Sequence, residues 1–197
     1  MPYDLSYDEK TALIVVDVQN DFADPKGSLY VRGGEDIIRF VNEQTDRARG
    51  AGALVVYTQD WHPESTPHFK KDGGVWPVHC VMGTWGAEFH PGLEVAGPVV
   101  RKGSHGEDGY SGFMMRDPET GQEKPTELDG ILTDHGVQRV VVVGLAQDVC
   151  VKETALDAAE RGYRLDVPEA GTRAVNLREG DDERAWEAIR RAGGHVF

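Results

Sequence analysis

Cys150 stands between a β-branched run at 140–143 and a segment in which Val151, Ala155 and Ala158 recur at helical spacing. The run suits a central parallel strand buried on both faces, and Gly144 ends it. Asp148 is expected to cap the helix that follows, and Gly162 to stop it. Cys150 then falls in the first turn of a helix, directly behind a buried strand. Backbone N–H groups and the macrodipole at such a position favour a thiolate and lower its pKa from about 8.5. A free cysteine is as readily a small buried apolar residue, so this stretch alone leaves both readings open.

Asp17 is the second residue out of place. It interrupts 11–18, which otherwise reads as a buried strand, and a carboxylate there costs several kcal/mol unless it is paired or hydrogen-bonded. A third strand is expected at 53–57, with Asp60 just beyond it, and a fourth at 98–102, ending on Lys102. Helical patterns at 34–49, 126–135 and 180–192, a strand at 163–167 and an edge strand at 195–197 complete the order. Alternation of this kind predicts an α/β fold, a single-domain doubly wound, mostly parallel β-sheet with helices on both faces, spanning residues 1–197. Asp17, Asp60, Lys102 and Cys150 then share the carboxyl edge, where such sheets bind ligands. A thiol, an ammonium and an acid together suit nucleophilic catalysis, the lysine stabilising the thiolate and the acid moving the proton. Taken singly, each has a duller explanation, such as an ion pair between Asp17 and Lys102.

Asp60, His62, His68 and His79 form a second group, in an irregular segment too long and too rich in His and Trp to be an ordinary linker. Imidazoles and a carboxylate at this spacing suit a first-row divalent ion, with open positions for water or substrate. His90 and His135 read as solvated. The formal net charge of −13 argues against nucleic acid or an anionic membrane surface as partner. No apolar run approaches the roughly 18 residues of a membrane span, and the start of the chain does not read as a signal peptide. Two cysteines do not make a secreted disulfide framework, so a reduced, cytoplasmic location is expected.

Val15-Val-Asp-Val-Gln-Asn-Asp-Phe22, Thr58-Gln-Asp-Trp-His62 with His68, the segment from Trp76-Pro-Val-His-Cys80 to Phe89, Lys102-Gly103, and Gly144-Leu-Ala-Gln-Asp-Val-Cys150 occur in that order. Together they resemble the isochorismatase-like cysteine hydrolases and, within them, the nicotinamidases. The resemblance spans roughly 11–170 and rests on five separate motifs. It implies a triad of Asp17, Lys102 and Cys150, and an oxyanion hole from the amides of Ala146 and Cys150 with a non-proline cis peptide before Ala146. It also implies a divalent metal (zinc, iron or manganese) at Asp60, His62, His68 and His79. Phe22 and Trp76 would flank a small-molecule amide substrate, with Tyr110 as a third wall. The implied reaction is hydrolysis of nicotinamide to nicotinate and ammonia through a cysteine thioester. Gln147 and Val149 depart from the family, which usually has threonine and a histidine or aromatic there. A related amidase for carbamoyl or ureido substrates, a metal-hydroxide hydrolase with a structural Cys150, and a non-catalytic binding module stay open, as does a homo-oligomer.

Overall fold

The computed structural model describes residues 5–197. In chain order the elements are β1 (Thr11–Val16), α1 (Asn20–Ala23), α2 (Ile38–Gly50), β2 (Leu54–Asp60), β3 (Val99–Lys102), β4 (Met114–Arg116), β5 (Glu123–Pro125), α3 (Leu128–Asp134), β6 (Arg139–Leu145), α4 (Lys152–Glu160), β7 (Arg164–Val167), β8 (Thr172–Arg173), α5 (Asp181–Arg191) and β9 (His195–Val196). The sheet runs β3-β2-β1-β6-β7-β9, every pairing is parallel, and β8 joins the carboxyl end of β6.

Alternation along the strands divides the core into two layers, because successive side chains leave a strand on opposite faces. Leu13, Val15, Val55, Tyr57, Val141 and Val143 pack with Ile37, Val41 and Ala48 around α2. Ala12, Ile14, Val16, Val56, Val140 and Val142 pack on the other side with Leu128 and Leu132 of α3, Ala155 and Ala158 of α4, and Ile189 of α5. Residues 12–16 of β1 and 140–143 of β6 are thus apolar at every position because both faces are covered. Among the described residues, no helix is long and apolar enough to cross a membrane.

The structure differs from the sequence reading in several places. β1 stops at Val16, because Asp17 turns to a φ of +49°. The helix expected at 34–49 is a 3-10 turn, Gly34–Ile37, leading into α2. The antiparallel pair β4–β5 has no counterpart in the sequence reading; three-residue strands carry too little pattern to read. Asp148 does not cap α4. Ala146 stands at the start of a π-helical turn, Gln147–Val151, which runs into α4. The Asp148 carboxylate instead accepts the backbone N–H groups of Val175 (2.8 Å) and Asn176 (2.7 Å), tying down the chain beyond β8.

Gly144, within β6, lies tight against β1. Its φ is +117°, and a Cβ built there would lie 2.1 Å from the Val16 carbonyl oxygen. Gly144→Ala should therefore cost about 2–3 kcal/mol, lowering the unfolding midpoint by roughly 4–12 °C. Gly130 lies within α3, and a Cβ added there would meet nothing within 4 Å. Gly130→Ala should stabilise by about 0.5–1 kcal/mol. Thermal unfolding of the two variants measures the contrast; equal shifts would contradict this account of Gly144.

Candidate active site

Parallel strands all end on one edge of the sheet, where β1, β2 and β3 deliver their last or next residues to one point and the turn after β6 brings Cys150. Lys102, the last residue of β3, is fully buried. Its Nζ donates to Asp17 Oδ2 (2.6 Å), to Asp60 Oδ1 (2.5 Å) and to the Gly109 carbonyl, and lies 3.9 Å from Cys150 Sγ. Three oxygen acceptors match the three protons of an ammonium. Two carboxylates hold the lysine pKa well above its usual range, against the burial that opposes them. Asp17 also accepts the Thr58 hydroxyl at 2.7 Å through Oδ1.

One ammonium does not neutralise two buried carboxylates, and the pair divides unequally. Burial pushes Asp17 up to about 6, with Lys102 opposing and Asp60 adding to the rise. Burial also raises Asp60, but Lys102 and the imidazoles of His62 and His79 outweigh it and hold Asp60 well below the carboxylate range. At neutral pH both are anionic, and Asp17 is the one poised to take a proton.

Cys150 sits in the π-helical turn, nearly buried, at the base of a pocket. The sequence reading favours a thiolate there. Instead burial raises the thiol well above its ordinary value; Lys102 offsets part of this, while Asp17, Asp60 and a hydrogen bond to Asp17 add to it. Helix amides and a lysine do not overcome desolvation beside two carboxylates. The resting group is a thiol, with its sulfur and a carboxylate oxygen of Asp17 within 4.8 Å of each other. A cis peptide joins Leu145 to Ala146, as the family resemblance implies. The amides of Val149 (3.1 Å) and Val151 (3.0 Å) close onto the Ala146 carbonyl on either side of Cys150 in sequence.

The second cluster lies against the first and shares Asp60 with it. His62, His68 and His79 are buried, with one ring nitrogen of each within 4.8 Å of the others. Asp60 Oδ2 is 3.7 Å from His62 Nε2 and 3.8 Å from His79 Nε2. His79 Nδ1–H donates to the Pro77 carbonyl at 2.8 Å, which leaves Nε2 with the lone pair. Burial, with His62 and His68 adding and Asp60 opposing, lowers the His79 pKa to about 4, so the ring is neutral at pH 7 as ligation requires. His62 is fully buried, yet neither of its ring nitrogens has a hydrogen-bond partner. An orphaned buried imidazole is costly. Beside two more imidazoles and a carboxylate, it fits a first-row divalent metal ion.

The pocket above both clusters is walled by Phe22, Trp76, Tyr110, Ala146, Val149 and Val175, with Asp60, His68, His79 and Cys150 also lining it. Trp76 Nε1–H donates to the Tyr110 hydroxyl at 2.9 Å, and the Phe22 ring lies 5.4 Å from that of His79. Every residue singled out in the sequence for the triad, the metal or the walls is therefore at this site. His135 is exposed and His90 caps a local turn, so both stay outside it.

Sequence reasoning missed the residues that hold the site in place. The buried Gln19 amide donates to the carbonyls of Asp60 (2.8 Å) and Ala87 (2.9 Å), and its oxygen accepts the Asp60 N–H at 2.8 Å. Asp21 accepts the backbone N–H groups of Cys80 (2.7 Å) and Ser28 (3.0 Å), and a Cβ at Gly86 would sit 2.1 Å from its carboxylate. Both lie in the 15–22 motif, so the motif carried their signal without their roles.

Comparison with known proteins agrees with this geometry. The Isochorismatase domain model matches residues 11–197. The nicotinamidase of Escherichia coli (strain K12) is 35% identical over 204 aligned residues, covering 94% of this chain and 93% of that protein. A pyrazinamidase of Pyrococcus horikoshii, solved in complex with zinc, superposes with a TM-score of 0.84 at 39% identity, covering 95% of this chain and 98% of the other. PnC1 from L. infantum, solved in complex with nicotinate, gives 0.88 at 36% identity, covering 98% and 95%. A match that runs from β1 to the last residue, through both clusters and the strand ends that carry them, places the chain in the isochorismatase domain family.

Proposed function

We propose that this protein is a nicotinamidase, a metal-dependent cysteine amidohydrolase that converts nicotinamide to nicotinate and ammonia in pyridine-nucleotide salvage. The observation that carries the reading is the pocket itself. Cys150 lines it, the Lys102 ammonium and the Asp17 carboxylate are buried behind that thiol, and a buried imidazole–carboxylate cluster lies beside them. The nicotinamidases and pyrazinamidases it resembles, one holding zinc and one nicotinate, support the same substrate. Two free cysteines support a reducing, cytoplasmic setting.

Cys150 Sγ attacks the carboxamide carbon as its proton passes to Asp17. The amides of Ala146 and Cys150 hold the oxyanion, and Lys102 keeps the Asp17 carboxylate anionic while steadying the charge that develops on sulfur. Asp17 delivers its proton to the departing nitrogen, ammonia leaves, and a thioester remains on Cys150. Asp17 then takes a proton from water, whose oxygen attacks the thioester carbon. The carbon–sulfur bond breaks, nicotinate forms, and Asp17 returns the proton to the sulfur. Phe22, Trp76 and Tyr110 confine the flat ring. A divalent ion held by Asp60, His62, His68 and His79 would supply a Lewis-acid template for the pyridine nitrogen.

Two outcomes test the reading. Asp17 must be anionic to accept the thiol proton, so activity is lost as pH falls through its raised value. kcat/KM for nicotinamide should show an acid limb with a midpoint near the Asp17 value of about 6. Asp17→Asn should lose roughly 10²–10⁴-fold while remaining folded. A flat acid limb, or a folded Asp17→Asn near parental activity, would remove Asp17 as the base.

Benzamide has the same ring size and the same carboxamide but lacks the ring nitrogen. A site built for that lone pair should turn benzamide over at least about a hundredfold less well in kcat/KM than nicotinamide. The two are compared on one metal-loaded preparation, and stripping the metal should raise KM for nicotinamide. Comparable values would mean that the ring nitrogen is not read, and the amidase would act on another class of amide.

A further inference from the structure

Each of the three imidazoles in the cluster is oriented differently. His79 is fixed by a backbone carbonyl, and His62 is wedged against Gly103, where a Cβ would stand 2.5 Å from its Nδ1. His68 alone is oriented by another side chain. Its Nδ1 lies 2.5 Å from Asp108 Oδ1, with the histidine buried and the aspartate mostly so. We propose that Asp108 is a positioning residue for the metal cluster, accepting the His68 Nδ1–H and so turning the Nε2 lone pair to the ion. The inference rests on the proposed function only in taking the cluster to be a metal site.

Ligating histidines commonly donate their second ring N–H to a carboxylate, which fixes the tautomer and makes the ligating nitrogen more basic. Asp108 meets that requirement from outside the sheet, on the glycine-rich segment beyond β3. The same segment serves the rest of the site. Gly109, the next residue, gives its carbonyl to Lys102, and Tyr110 accepts the Trp76 indole N–H. Three consecutive residues thus touch the metal cluster, the buried ammonium and the pocket wall.

The backbone at Asp108 is held without its side chain. Its N–H donates to the Arg116 carbonyl at 2.7 Å and its carbonyl accepts the Arg116 N–H at 2.9 Å. Thr66 Oγ1 also donates to the Gly106 carbonyl at 2.7 Å and accepts the His68 N–H at 3.2 Å, tying the two loops together. Replacing the carboxylate should leave the fold intact.

The experiment titrates metal-free full-length protein with zinc and with cobalt(II), comparing the parent with Asp108→Ala and Asp108→Asn, each also in a His68→Ala background. Asp108→Ala should weaken metal binding by roughly 10–100-fold. Asp108→Asn should lose less, because its amide oxygen still accepts the Nδ1–H. Neither should weaken binding further once His68 is alanine. A merely structural role would lower the metal-free unfolding midpoint and leave the metal Kd unchanged. Parental Kd in Asp108→Ala, or the same loss in the His68→Ala background, would overturn the proposal. Those outcomes leave the substrate reading untouched. Conversely, weaker metal binding in Asp108→Ala alongside equal turnover of benzamide and nicotinamide would leave Asp108 in place and remove the substrate.

Discussion

A lysine ammonium buried completely at the end of β3, between two carboxylates, is the constraint on which the rest of this molecule depends. Removing a charge from water costs several kcal/mol, and only close, saturated hydrogen bonding recovers it. Lys102 obtains three such contacts from residues 17, 60 and 109, which are distant in sequence and adjacent only in the parallel sheet and its edge loop. Deleting one partner of such a group typically costs about 3–5 kcal/mol, since the charge left behind stays buried. The same ammonium leaves Asp60 firmly anionic beside the imidazoles, and leaves Asp17 as the carboxylate that titrates within reach of physiological pH. One ion network thus sets the charge of both carboxylates.

The sheet makes that network possible. Parallel strands stop on one edge, both faces are closed by helices, and water is kept from the ammonium by the layers that supply its partners. Gly144 lets β6 run close against β1, so that the turn bearing Cys150 arrives beside Asp17. Gln19 fixes both backbone groups of Asp60, so this aspartate can face the lysine with one oxygen and the imidazoles with the other. The thiol is not pre-ionised in such surroundings. In the proposed mechanism its reactivity comes from the nearby Asp17, within 4.8 Å, instead of from a depressed pKa.

Much of this is readable in the chain. The β-branched runs place β1, β2 and β6, and charged residues in or just past strands point to Asp17, Asp60 and Lys102, because a charge at a buried strand end demands a reason; Cys150 is found from its place in the first turn after β6. Spacing brings in His62, His68 and His79, and the family resemblance brings in the aromatic walls. Contacts that depend on three-dimensional direction are not legible. Asp148 has the composition of a helix cap, yet its carboxylate turns away to Val175 and Asn176. A low Cys150 pKa is the natural expectation because its helix and lysine are visible in sequence, whereas its burial beside two carboxylates is not. Asp108 lies in a glycine-rich stretch that reads as a mobile loop, and only the fold brings it to His68.

The central claim is that Cys150 carries the acyl group. The most direct measurement is rapid quenching of the protein during nicotinamide turnover, followed by peptide mapping by mass spectrometry and by steady-state assay of a folded Cys150→Ala variant. The account predicts a nicotinoyl thioester on the peptide containing Cys150, none on that containing Cys80, and no measurable turnover by Cys150→Ala. Near-parental ammonia release from Cys150→Ala would contradict it and leave a metal-borne nucleophile as the source of the chemistry.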